Sequence, residues 1–236
     1  RPLGPLDDLT VARWLGADHV LASGEPGSPT SHSSVRAYLR EHGTALGPQF
    51  GGELWHVPPP PEPGDPKVFC LGLTKTGTST LAEALGILGV RCFHWGGPAA
   101  YHAVLDALQD GKLLTSGLPT GFDGYADVGT LLERFRLLDL QHPGSRFILT
   151  VRDEDAWIDS RRRHIERNRR DQAMGRYHGS NLEVDEAAWR VTWRTHLRSV
   201  REYFAGRTDL LELDLTVRPR WEELARFLGA VIPEVA

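Results

Sequence analysis

Residues 67–88 pass from a short apolar strand through a turn rich in Gly, Thr and Ser into a helix, and few folds accommodate that order. Val68, Phe69, Cys70 and Leu71 form an uninterrupted apolar run. A strand with one wet face would alternate, so this run predicts a parallel strand buried on both faces by helices. The turn Gly72-Leu73-Thr74-Lys75-Thr76-Gly77-Thr78-Ser79-Thr80 follows at once. Apolar residues then recur at Leu81, Ala84, Leu85 and Leu88 with helical spacing, and Gly89 stands where a C-terminal cap belongs. Strand, tight turn and helix start in this order aim main-chain N–H groups and the positive helix end at an anion.

The position of one lysine separates two nucleotide-binding readings of this turn. Gly72 and Gly77 have the spacing of the ATP-binding P-loop, and Ser79 fills its Ser/Thr place, but Thr78 stands where the lysine of that loop belongs. Lys75 lies inside the turn instead. A second apolar run, Phe147 to Val151, ends in Arg152, with Asp153 positioned to cap the next helix and Ser160 eight residues beyond Arg152. A guanidinium fork suits a phosphate dianion, and a serine hydroxyl adds a neutral donor.

The run Lys75-Thr76-Gly77-Thr78-Ser79 resembles the phosphosulfate-binding loop of the sulfotransferases, Pro-Lys-Ser/Thr-Gly-Thr-Thr/Ser, with Thr74 in place of the proline. Arg152 and Ser160 match the arginine and serine with which that family holds the donor's 3'-phosphate. The segments around His196, Val200, Tyr203, 210–214 and 221–229 are similar to the C-terminal part of the subfamily whose loop reads Gly-Leu-Pro-Lys-Thr-Gly-Thr. The resemblance implies an α/β, P-loop NTPase-like three-layer fold with a central parallel sheet and helices on both faces. It implies 3'-phosphoadenosine 5'-phosphosulfate (PAPS) as donor, PAP as product, no metal, and transfer of a sulfuryl group to a hydroxyl. Lys75 would stabilise the charge that builds on the bridging oxygen. Thr76 and Gly77 would offer main-chain N–H groups to the 5'-phosphate, and Thr78, Ser79 and Thr80 their hydroxyls. The Gly-x-x-Gly-x-x-Lys element of many cytosolic members is absent, with Arg218 or Arg220 as substitutes.

Attack by a hydroxyl needs a general base. His94 lies just past the second predicted strand, near where glycan sulfotransferases carry a catalytic glutamate; Asp127 matches an aspartate common in the subfamily; His102 falls on a predicted helix and reads as exposed. A P-loop nucleotide or small-molecule kinase and a catalytically silent nucleotide-binding module are the alternative readings. The acceptor class stays open among sugar, lipid, phenol and secondary metabolite.

The 236 residues suffice for one domain with an appendage. Residues 1–66 read as a turn-rich arm with short helices at 8–22 and 34–42 and a Pro-rich linker, and residues 67–236 as the main domain. A net charge of −4 argues against a general nucleic-acid binder. No apolar run is long enough to span a bilayer and no secretory pattern opens the chain. Cys70 and Cys92, the two cysteines, fall in predicted strands as free thiols, which together with the donor makes the cytoplasm the expected location. The arginines crowded between Arg152 and Arg176 read mostly as a solvated face, some of them able to draw an anion into the cleft. Residues 113–127 lack a period and read as an irregular loop at the ligand-binding edge of the sheet. Thr130 and Glu133 form a capping-box pattern that predicts one helix running toward His142, and Asp185 opens a helix with a stripe at Trp189, Trp193, His196, Val200 and Tyr203.

Overall fold

The computed structural model describes residues 5–23, 33–49, 52–217 and 221–232. The N-terminal part contains α1 (Pro5–Trp14), β1 (His19–Ser23), α2 (Ser33–His42), β2 (Thr44–Gln49) and β3 (Gly52–His56). Its strands form an antiparallel sheet in the order β1-β3-β2. The expected helix over 8–22 is therefore corrected: it stops at Trp14, Gly16 turns left-handed at φ 95°, and residues 19–23 pair with β3. The expected irregular stretch before the prolines is likewise sheet. Gly47 and Pro48 lie in β2, and the register shifts between Ala45 and Gly47, so no alternating pattern marks the strand. Leu6, Leu9, Tyr38 and Leu39 share one buried cluster with Val104, Leu108, Leu137 and Leu138 of the following domain. Arg13 donates to the carbonyls of Pro58 and Pro59 at 3.0 and 2.9 Å, and a largely buried ion pair of 2.5 Å joins Asp7 to Arg134.

From residue 68 onward the chain builds β4 (Val68–Cys70), α3 (Thr78–Ile87), β5 (Cys92–His94), α4 (Gly97–Gln109), a 3-10 turn (Leu114–Gly117), β6 (Gly124–Ala126), α5 (Gly129–Leu132) and α6 (Phe135–Gln141). There follow β7 (Arg146–Thr150), α7 (Glu154–Ala173), α8 (Glu186–Tyr203), β8 (Leu210–Leu213) and α9 (Trp221–Leu228). The five strands β5-β6-β4-β7-β8 are all parallel. Only the step from β4 to β5 moves in one direction along this order; the later steps all move in the other. Right-handed crossovers then put α3 on one face and the helices of the later crossovers on the other. The buried clusters follow that division. Val68, Cys70, Ile148 and Leu211 pack with Leu81 and Leu85 of α3 and Leu224 of α9, whereas Phe69, Phe147 and Leu149 pack with helices α4 to α8. Adjacent residues of one strand thus feed opposite layers, which is why the runs at 68–71 and 147–151 are apolar throughout.

Two local expectations give way to tertiary contacts. Residues 124–126, expected to be loop, are strand β6 between β5 and β4, too short to show a period. The capping box at Thr130 does not form: Thr130 lies inside α5, Val128 is the N-cap without a side-chain bond, and the helix breaks before α6. At the break Arg134 turns to bind Asp7 and the Thr130 carbonyl, an exchange of helix continuity for a buried ion pair. Asp153 and Asp185 do cap α7 and α8, each accepting an N–H at 2.9 Å. Arg218 and Arg220 lie outside the described residues. Among the described residues no helix is long and apolar enough to cross a membrane.

Candidate active site

Because the five strands are parallel, the residues that follow them converge on one edge of the sheet. The loop after β4, His94 ending β5, Asp127 after β6 and Arg152 after β7 all lie there. The chain leaves β4 toward one end of the sheet and later crosses it toward the other, so the loop sits at the topological switch point. Its shape is held from three sides. His196 of α8 donates from Nε2 to the Leu71 carbonyl at 2.6 Å, and Trp157 of α7 donates to the Thr74 carbonyl at 2.8 Å. A carbonyl only accepts, so the His196 proton is on Nε2, and burial lowers its pKa and favours this neutral form. The Thr76 hydroxyl donates to the Leu73 carbonyl at 2.6 Å and therefore accepts from Thr150 Oγ1, also at 2.6 Å. Thr76 is fully buried, and its own N–H meets the Leu73 carbonyl at 3.3 Å, so it closes the turn from within.

Gly72 leaves room for that hydroxyl pair, since a Cβ there would lie 1.7 Å from Thr150 Oγ1. Gly77 at φ 94° then starts α3, whose first turn has no side-chain cap. Its N–H groups are thus open to an anion. Three non-glycine residues among those described have left-handed backbones, Lys75 at φ 73°, Trp95 at 69° and Asp127 at 56°. All three follow strands of the sheet at this one edge, and strained conformations of this kind gather at functional sites.

The structure brings Lys75 and Arg152 together: Arg152 Nη1 donates to the Lys75 carbonyl at 3.4 Å. Arg152 Nε is buried without a partner. Ser160 is half-buried two turns into α7 and makes no side-chain hydrogen bond among the described residues. Lys75 is held below the usual lysine range, first by burial and then by the neighbouring charges of Arg167 and Arg161, with Asp127 opposing.

Asp127 and His94 also meet here, His94 Nε2 lying 3.8 Å from Asp127 Oδ2, 3.5 Å from Thr78 Oγ1 and 3.4 Å from Ser79 Oγ. Thr78 is buried with its hydroxyl toward His94, whereas Ser79 and Thr80 are exposed at the helix start. Burial raises the Asp127 carboxyl above the usual aspartate range against the pull of His94, Lys75 and Thr78, and its Oδ1 is buried without a partner. His102 stays exposed on α4 against Tyr101, with their ring centroids 5.4 Å apart.

Sequence reasoning missed the supporting side chains. Trp157 and His196 read as core by their spacing, yet each also holds a loop carbonyl. Arg161 and Arg167 read as part of a mostly solvated arginine face and His164 drew no reading, yet all three are electrostatically coupled to Lys75 or to one another. Helical spacing puts them on one side of α7, the single signal that marks them out. Among the described residues no group of three or more His, Cys, Asp or Glu is placed to hold a metal ion.

A search of curated proteins finds no match to this chain. The family model of the sulfotransferase domain matches residues 67–177, from the start of β4 to just past the end of α7. That segment contains Lys75, His94, Asp127, Arg152 and Ser160; it is similar to the sulfotransferase domain family, and the all-parallel sheet flanked by helices is consistent with the P-loop NTPase-like fold of that family.

Proposed function

We propose that the chain transfers a sulfuryl group from PAPS to a hydroxyl of a small or medium-sized acceptor. The observation that carries this reading is the contact of Arg152 with the Lys75 carbonyl at 3.4 Å, with Arg152 Nε buried and unpaired beside it. The residues present fit the donor: the open N–H groups from Gly77 onward and the hydroxyls of Ser79 and Thr80 suit the 5'-phosphate, and Arg152 with Ser160 suits the 3'-phosphate. PAPS, when bound, supplies the sulfuryl group, and the bridging oxygen keeps the electron pair of the broken sulfur–oxygen bond. Lys75 stands to neutralise that oxygen. Asp127 takes the proton of the attacking hydroxyl, with Thr78 and His94 orienting it. Thr78, a neutral residue whose hydroxyl lies 3.5 Å from His94 Nε2, occupies the place of a kinase lysine, which disfavours the ATP reading.

Calorimetric titration with PAP tests the donor. Arg152→Gln is expected to weaken PAP about tenfold or more, the usual worth of a charge-assisted hydrogen bond. Mg-ATP should give no heat. Tighter binding of Mg-ATP than of PAP would overturn the assignment.

The acid limb of transfer follows from the raised Asp127 carboxyl. A base must be ionised, so the rate should fall as pH drops through a value above that of a free aspartate. Asp127→Asn is expected to remove this limb and to slow transfer by about 10²–10⁴. Rates from pH 4 to 9 with sulfur-labelled PAPS and a pool of alcohols measure both; an unchanged limb in the variant would take Asp127 out of the chemistry.

A further inference from the structure

Some arginines in and just after α7 are tied to other groups of the chain. Arg162 is tied to Asp159 and Glu186, Arg169 donates to the Leu182 carbonyl at 2.7 Å, and beyond the helix Arg176 is paired with Asp171. Arg161 and Arg167 have no carboxylate partner among the described residues. Arg161 instead lies half-buried over the rings of Trp189 and Trp157, 4.5 and 5.2 Å from their centroids. Arg167 Nη2 bonds His164 Nδ1 at 2.6 Å. An arginine only donates, so His164 accepts there and presents its proton on Nε2. Arg161, His164 and Arg167 recur at intervals of three along one side of the helix; Arg161 lies over Trp157, whose Nε1 bonds the Thr74 carbonyl beside Lys75, and the charges of Arg167 and Arg161 add to burial in lowering the Lys75 pKa.

This inference rests on the PAPS reading above, which already uses Arg152 and Ser160 for the donor's 3'-phosphate and the loop for its 5'-phosphate. The cations continue along α7 past Ser160, so that Arg167 lies about 10 Å further along the helix axis at 1.5 Å per residue. Their common neighbour is the Lys75 ammonium, where the group is handed over. Arg161, half-buried without a carboxylate, and the neighbouring Arg167–His164 pair leave positive charge on the far side of that point that an entering anion would compensate.

We propose that Arg161, His164 and Arg167 form the acceptor subsite and select an acceptor hydroxyl compound that itself carries an anionic group, a carboxylate, phosphate or sulfate. Arg161 is held in place by its two tryptophans, so it acts as a fixed anchor, while Arg167 is exposed and closes over the ligand from the cleft mouth.

The test uses the full chain saturated with PAP and two matched probe pairs, 4-hydroxybenzoate against 4-hydroxybenzyl alcohol and glucose 6-phosphate against glucose. Binding is followed by calorimetry and by tryptophan fluorescence, since Trp157 and Trp189 flank Arg161. The anionic member of at least one pair should bind about tenfold more tightly, as one added charge-assisted hydrogen bond provides. Arg161→Gln/Arg167→Gln should bring the pair within twofold while PAP affinity changes less than threefold. Arg167→Glu, a change at an exposed position that spares the fold, should reverse the preference. Equal binding of both members, or binding of neither, would overturn the proposal. So would a loss of PAP affinity in the double variant as large as the loss of probe affinity, which would give these cations to the donor. Failure of the wild type to bind PAP at all removes the donor reading and this inference with it, and the PAP titration alone reveals that case.

Discussion

Lys75→Ala is expected to slow sulfuryl transfer by at least about 10²–10³-fold while leaving the fold intact and PAP affinity within a few-fold of the wild type. In the proposed reaction the ammonium would act where charge builds on the departing oxygen and do more for the transition state than for the bound donor. Most of the grip on the donor would come from elsewhere, from the helix start at Gly77 and from Arg152. The substitution also removes a cation held beside Arg161 and Arg167, whose repulsion and burial already depress its pKa. Its loss therefore relieves strain in the folded state rather than adding any. The left-handed backbone at φ 73° is equally unfavourable for Lys and Ala, so the change does not alter that cost. Sulfur-labelled PAPS gives the rate, calorimetry the PAP affinity, and thermal unfolding the stability. Full turnover in the variant would strike Lys75 from the mechanism.

Gly72→Ala is expected to damage the fold more than any exposed substitution in the loop. The new Cβ would lie 1.7 Å from Thr150 Oγ1 and 2.8 Å from both the Thr150 carbonyl and Thr76 Oγ1. None of these atoms belongs to a flexible side-chain end; one is strand backbone, and the two hydroxyls are locked to each other at 2.6 Å. Overpacking of this kind costs about 1–3 kcal/mol. The broken hydroxyl bond adds about 0.5–1.5 kcal/mol. For a chain of this size each kcal/mol lowers the melting temperature by about 2–4 °C, so a fall on the order of 10 °C is expected. Thr150→Ala in the same chain removes the closest contact and should recover part of the loss. A variant melting with the wild type would mean that the Thr76–Thr150 closure of the loop is not what the fold depends on.

The expectations met in the structure are those whose physical cause lies within a turn or two of the chain. The apolar runs at 68–71 and 147–151 had to be buried strands, because each of their faces meets a different helical layer whatever those helices are. Asp153 and Asp185 cap their helices by bonding an N–H three residues on, a purely local act. The glycines of the loop and the helix after it were legible for the same reason, and so was the likeness of that loop to the sulfotransferase type. The capping box at Thr130 had the same local form and still failed. There the competing partner of Arg134 is Asp7, far away in α1, and a buried ion pair outweighs a cap that yields about 1 kcal/mol. In β2 the difficulty was reversed: Gly47 and Pro48 are poor strand residues, accepted because β3 supplies the pairing.

By itself the amino-acid order determined the parallel core, the Gly-, Thr- and Ser-rich turn between β4 and α3, and the chemical kinds of group gathered near it: one lysine, one arginine, a small set of candidate bases. What only the tertiary structure decided is which of those groups meet and what steadies them. Thr150 reaches Thr76 across 74 residues, Trp157 reaches Thr74 across 83, and His196 reaches Leu71 across 125. Contacts over such separations leave no periodic trace in the chain, because their geometry is set by how helices α7 and α8 lie on the sheet. The same packing sets Arg161 of an arginine-rich helix over Trp157 beside the loop, while Arg162 pairs with Asp159 and Glu186.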